Sequence, residues 1–259
     1  MIFVDYAFIG LLAGFLAGYL GIGGGLIIVP ALTWLFMRDP LLAEHAVHLA
    51  VATSLATMLP TAFSSVLAHH RKRAVAWSVV RSLAPGLVGG AALGAFTATV
   101  LSTGALARVF GLYAVLAGGQ LLIGRQARGE KALPGPVGTG LTGALIGAVS
   151  AMVGIGGGSM TVPWLLWHGR PAAAAVATAA ACGYPIAFSA TLAFVFLGGK
   201  SGNVAAYIHV PALAGVAVFS MLAAPLGAAA VHRARATTVR RVFGAFLLLV
   251  AWRMFFQAP

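Results

Sequence analysis

The sequence predicts an all-α integral membrane protein. Its plan is two inverted-topology repeats, each a re-entrant or broken helical hairpin with a Gly-rich tip plus three spanning helices. Three observations predict this. First, apolar stretches near or above ~20 residues recur along the whole length, as in polytopic helical membrane proteins. Of the 259 residues, 61% are apolar and only 8% charged, with mean hydropathy +0.99. Second, Gly21-Ile22-Gly23-Gly24-Gly25 recurs as Gly154-Ile155-Gly156-Gly157-Gly158 inside a second apolar run. Third, the basic loops change places between the two halves. The polar alternation of a membrane barrel is absent.

The first apolar block covers residues 6–37, with the glycine tip near its centre. Glycine costs about 1 kcal/mol in a helix interior relative to alanine, so four within five residues break the helix. The arms on either side, residues 6–20 and 26–37, reach roughly 22 and 18 Å, short of the ~30 Å hydrocarbon core. A re-entrant hairpin with its tip near mid-membrane fits these lengths. Pro30, near the first turn of the second arm, suits a position whose N–H has no helical partner. The second block, residues 41–70, ends in His69-His70-Arg71-Lys72-Arg73. The third, residues 75–101, carries Arg81 and Pro85. The fourth, residues 106–123, runs into a polar linker over residues 124–138.

The pattern then starts again. The tips align at an offset of 133, as do Pro30 with Pro163 and Trp34 with Trp167. Ala50-Val51-Ala52-Thr53 returns as Ala175-Val176-Ala177-Thr178, and Pro60, Phe63 and Ser64 match Pro185, Phe188 and Ser189. Arg108-Val109-Phe110-Gly111 returns as Arg241-Val242-Phe243-Gly244. This is an internal duplication, with repeats over residues 1–131 and 132–259 of a single membrane domain. Arg71, Lys72 and Arg73 lie between blocks two and three of the first half, where the second half has only Lys200. Arg233, Arg235, Arg240 and Arg241 lie between blocks three and four of the second half, where the first has only Arg108. Under the positive-inside rule the halves then face opposite ways, with the linker inside and both termini outside.

The same rule accounts for the formal charge of +12, which in a soluble protein would suggest nucleic acid; no nucleic-acid partner is expected. The single Cys182 excludes an internal disulfide and a cysteine-built metal site. The start, Met-Ile-Phe-Val-Asp, lacks the basic n-region of a cleaved signal peptide.

The candidate site is built on the tips. A helix begins after each, and its N-terminus presents unpaired N–H donors and a partial positive charge. Two such ends meeting across a pseudo-two-fold axis make an anion site from backbone alone. Gly21, Gly23, Gly24, Gly25, Gly154, Gly156, Gly157 and Gly158 are its candidates, with Pro30 and Pro163 shaping the second arms. The competing reading is close helix packing, which Gly14-x-x-x-Gly18 and Gly143-x-x-x-Gly147 suit. Hydroxyls come next: Thr53, Ser54, Ser64, Thr178 and Ser189 in matched registers, and Ser159 directly after the second tip. They could donate to an anion or bond locally to carbonyls beside the Pro60 and Pro185 kinks. The only acids are Asp5, Asp39, Glu44 and Glu130, all at block edges or in linkers. A site without carboxylates suits an anion better than a cation. His45, His48, His69 and His70 lack partners at metal spacing, so no metal and no cofactor is expected.

The glycine tips, with Gly14, Gly18 and Pro30, their echo at residues 147–163, and Ala50-Val51-Ala52-Thr53-Ser54 resemble the sulfite exporter TauE/SafE family, also called toluene sulfonate uptake permeases. The resemblance covers the whole chain. It implies a transporter of small sulfur-containing anions: sulfite, sulfoacetate, thiosulfate and other organosulfonates. The second copy departs where Thr53-Ser54 becomes Thr178-Ala179. The expected protein is a multi-pass carrier in the bacterial inner membrane, with lipid and a small anion as partners, rocking its halves around the tips. An anion channel on the same frame is the alternative; an intramembrane enzyme would need a nucleophile–base pair that the sequence does not offer. The many Gly and Ala faces suit a homodimer or internal packing equally.

Overall fold

A computed structural model describes residues 2–20, 23–123, 129, 132–198, 207–230 and 236–256. They are helical almost throughout. The elements are α1 (Ile2–Leu20), α2 (Gly25–Phe36), a 3-10 turn (Ala43–His45), α3 (Ala46–Arg71), α4 (Trp77–Val100) and α5 (Thr103–Ile123). The second half gives α6 (Pro136–Val153), α7 (Gly158–Trp167), α8 (Ala172–Gly198), α9 (Val210–Ala230) and α10 (Ala236–Phe256). Among the described residues, five stretches are long and apolar enough to cross a membrane: Ala43–Arg71, Trp77–Val100, Thr103–Ile123, Pro136–Val153 and Ala172–Gly198.

The lengths correct the symmetric picture of two short arms. Helix α1 has 19 residues and α6 has 18, or about 28 and 27 Å, close to a full crossing. Only α2, with 12 residues, and α7, with 10, are short. The missing first turn of α1 is Ile2–Asp5, where Asp5 suits the electropositive helix start. Pro30 and Pro163 lie one turn deeper than expected, each the sixth residue of its short helix. Each lacks the N–H that would bond the carbonyl four residues back, so the Leu26 and Ser159 carbonyls have no helical partner. The linker is shorter than expected, because α6 starts at Pro136, a favoured first-turn proline.

The two halves interlock. Helix α4 lies parallel to α6: methyl groups on Gly143 and Gly147 would meet the Leu83 and Leu87 carbonyl oxygens. Helix α1 lies parallel to α9 in the same way, with Gly10 on the Val216 carbonyl and Gly14 on that of Ser220. These two sets of contacts repeat at the offset of 133 found in the sequence. Gly86, Gly90 and Gly94 extend the α4 seam, pressed on the backbone of Gly140, Ala144 and Ala148. Small residues let membrane helices approach to backbone contact, gaining dispersion where no hydrophobic force acts. Helices α5 and α10 pair antiparallel, Gly118 on the Gly244 carbonyl and Gly111 near Ala251 and Phe255.

Space therefore groups the helices differently from sequence. One lobe is α1, α2, α3 and α9; the other is α6, α7, α8 and α4; α3 and α8 join them. The offset drop from 133 to 125 comes mostly from the connections, five residues shorter in the second half, and from α7, two residues shorter than α2. Residues 37–45, including the 3-10 turn, connect α2 to α3, but only residues 168–171 connect α7 to α8. Of the basic residues behind the topology argument, Arg125, Arg128, Lys131, Lys200, Arg233 and Arg235 lie outside the described residues, whereas Arg71, Lys72, Arg73 and Arg81 are exposed.

Candidate functional site

Gly21 and Ile22 lie outside the described residues; the rest of both tips can be placed. The tips touch. A methyl on Gly25 would run into the Gly154 carbonyl oxygen and stand 3.0 Å from Ile155 Cα. One on Gly23 would face the Gly156 nitrogen at 3.8 Å. Helix α6 closes with Gly154 at φ +75, its N–H on the Ser150 carbonyl, and Ile155 N–H reaches the same oxygen at 2.9 Å. That is a Schellman ending, which needs the left-handed residue. The chain then turns at Gly157, φ +70, into α7.

Helical bonding in α7 starts when Met160 and Thr161 donate to the Gly157 carbonyl at 3.1 and 2.8 Å. In α2 it starts when Ile27 and Ile28 donate to Gly24, both at 3.0 Å. The amides of Gly158 and Ser159, and of Gly25 and Leu26, thus have no intrahelical partner. The tips meet long helices near their midpoints. Met58 of α3 puts Sδ 3.3 Å from a Gly156 methyl position and Cε 2.7 Å from that of Gly25. Gly183 of α8 approaches the Gly156 carbonyl so closely that a methyl on it would sit 2.9 Å away. Tyr113, at the centre of α5, shares a 2.6 Å hydrogen bond between its hydroxyl and that of Ser159.

The predicted hydroxyls divide. His209 N–H, just before α9, donates to Thr53 Oγ1 at 2.9 Å, and Ala76 N–H, just before α4, donates to Thr178 Oγ1 at 3.0 Å. These are one interaction seen twice. Each threonine satisfies an amide at the start of the helix taken from the other half. Ser54 Oγ donates to the Gly154 carbonyl at 2.8 Å, tying α3 to the second tip. Its counterpart Ala179 cannot. Ser189 donates to the Val88 carbonyl at 2.8 Å. Ser64 is exposed on α3. The local bonds considered beside Pro60 belong instead to Thr57 and Thr61, which donate to carbonyls three and four residues back.

Sequence reasoning missed Met58 and Tyr113. Each reads as an ordinary apolar position in a buried helix, and only the fold brings it to the tips. The histidines also find neighbours: His48 Nε2 lies 3.0 Å from the Leu101 carbonyl, and its ring stacks on Tyr207 at 5.5 Å.

A multi-pass helical membrane protein with paired helix breaks in its interior has the architecture of a secondary transporter. The chain belongs to the Sulfite exporter TauE/SafE family, whose profile matches residues 6–254. It is similar to a probable membrane transporter protein of Haemophilus influenzae, 31% identical over 255 residues and 96% of each chain. It is also similar to the probable membrane transporter protein YunE of Bacillus subtilis, 26% identical over 281 residues, covering 99% of this chain and 98% of the relative. A probable membrane transporter protein of Xylella fastidiosa is 31% identical over 169 residues, 62% of this chain and 61% of the relative. No solved structure matches the chain.

Proposed function

We propose that this protein carries a small sulfur-containing anion, sulfite or an organosulfonate such as sulfoacetate, across the bacterial inner membrane by alternating access. The observation that carries the reading is the meeting of the two tips at the midpoints of α3, α5 and α8. Broken backbone at that depth is tolerated only where protein buries it or it lines a cavity. Two helix starts there bring amide donors and partial positive charge together without a buried cation. Ser54 fixes the second tip, Thr53 and Thr178 fix helix starts, and Ser189 ties α8 to the middle of α4; Ser159 stands within the site.

The antiparallel pairing of α5 with α10, equivalent helices of the two halves, supports inverted repeats. A two-fold that relates antiparallel neighbours runs across their axes, which for spanning helices is the membrane plane. The rocking bodies are then the two interlocked lobes rather than residues 1–131 against 132–259. Exposed Arg71, Lys72, Arg73 and Arg81 would concentrate anions at the inner mouth.

The test is uptake of sulfite and methanesulfonate by proteoliposomes. Gly25→Ala, which drives a methyl into the opposite tip, should abolish uptake, while Gly89→Ala and Gly119→Ala, with nothing within 4 Å, should not. Uptake by Gly25→Ala at the unaltered rate would remove the tips from the path. Trans-stimulated counterflow separates a carrier from the channel alternative, which shows none.

A further inference from the structure

The tips have the same sequence but different neighbours, and buried hydroxyls without partners lie at and just after the second tip, whereas on α2 the hydroxyl of this kind, Thr33, lies two turns beyond the first. Ser150 is fully buried and its Oγ has no hydrogen-bond partner. It lies 3.3 Å from the position a methyl on Gly157 would take, at the start of α7. A buried hydroxyl left unbonded costs stability, so a vacancy of this kind marks a place for an acceptor. Thr161, in the first turn of α7, is a second fully buried hydroxyl without a partner. Ser159, between them, is bonded to Tyr113. At the offset of 133, the equivalents of Ser150, Ser159, Thr161 and Tyr113 are Ala17, Leu26, Ile28 and Phe246, none of which could donate to an anion. The nearest atoms to a methyl on Gly24 accordingly belong to Ile28 and Ala13.

We propose that the anion is seated on the second tip alone, with Ser150 and Ser159 as its side-chain donors beside the Gly158 and Ser159 amides. Tyr113 is a positioning residue: its hydroxyl donates to Ser159 Oγ, which turns the serine proton toward the guest. Every donor is neutral, so the seat balances one negative charge with dipoles and bears two poorly. The inference rests on the reading that the tips hold the anion.

The experiment measures methanesulfonate affinity of the purified full chain in nanodiscs, together with the melting temperature without ligand. Ser150→Ala should weaken affinity about tenfold to a hundredfold, the worth of one hydrogen bond to a charged acceptor. It should leave the unliganded melt unchanged or higher, because the hydroxyl bonds nothing in the protein. Tyr113→Phe should weaken affinity less, about threefold to tenfold. The mirror change Ala17→Ser should have no effect. If Ser150→Ala binds like the unaltered chain, or Ala17→Ser alters affinity as much, seating on one tip is overturned while the tip reading stands. If the unaltered chain binds none of methanesulfonate, sulfite or sulfate, both fall.

Discussion

The first and second tips share Gly-Ile-Gly-Gly-Gly, yet their backbones differ. In the first, Gly23 takes φ +80 and Gly24 a right-handed φ of −77; in the second, the equivalent left-handed turn comes one residue later, at Gly157. Their walls differ too. Across from Gly156, α3 offers the flexible Met58 and α8 the bare backbone of Gly183, although these two positions are equivalent in the duplication. Ser54 pins the second tip, and its mate Ala179 has no hydroxyl with which to do the same for the first. Duplication has thus kept the interruption and the short helix, while the walls and the phase of the turn have diverged. A shared motif fixes where the chain breaks, and the neighbours fix how.

That comparison breaks first at Gly157. Gly157→Val should prevent folding, since it demands a left-handed β-branched residue with Ile186 Cδ1 only 2.6 Å from the first added carbon. Gly24→Val meets nothing nearer than 3.2 Å to its first carbon and keeps a right-handed φ, so it should insert and fold. Detergent-stable yield by size exclusion separates the two; equal yields would mean the tips are alike after all. Thr53→Val and Thr178→Val come next. Each strands one amide at a helix start, and each should cost about 1–2 kcal/mol of stability. Near-equal losses in melting are expected because the contacts are mates; a loss in only one would deny that equivalence. Ser54→Ala removes a bond to a carbonyl and should cost about 1 kcal/mol, whereas Ala179, which already lacks it, has nothing to lose.

The smallest effect concerns pH at the residue that precedes α9. Burial pushes the His209 imidazole below its ordinary range, partly opposed by the Asp39 carboxylate. Its neutral Nδ1 accepts the Ala212 N–H at 3.2 Å. A histidine whose folded value is depressed contributes stability above its ordinary titration range and loses it as pH falls through the folded value. The melting temperature should therefore drop on acidification below about pH 6, and His209→Gln should flatten that slope.

Much of this was legible in the sequence because duplication writes itself as register. The 133-residue offset of the tips anticipated contacts that recur at the same spacing on α1 and α6, and the Gly14 and Gly143–Gly147 pairs serve helix packing as their spacing suggested. Local signals failed where tertiary context decides. Asp5 read as a boundary, because a charge looks like an end, but it is the acid of a first helical turn. Thr53 and Thr178 read as donors to an anion or to a local carbonyl, and nothing local says that the amides of His209 and Ala76 lie across from them and donate to their oxygens. Tyr113 carries no sequence signal at all; it is one aromatic in an apolar helix, and its partner is 46 residues away.

The exchange of α4 and α9 between lobes bears on biogenesis. While the ribosome is still short of residue 136, α4 has no partner for its Gly86, Gly90 and Gly94 seam, which faces lipid until α6 arrives. Closure is then a late event that follows insertion. A chain severed between residues 124 and 131 and produced as two polypeptides would be held as a clasped pair, each fragment gripping the other by its third long helix.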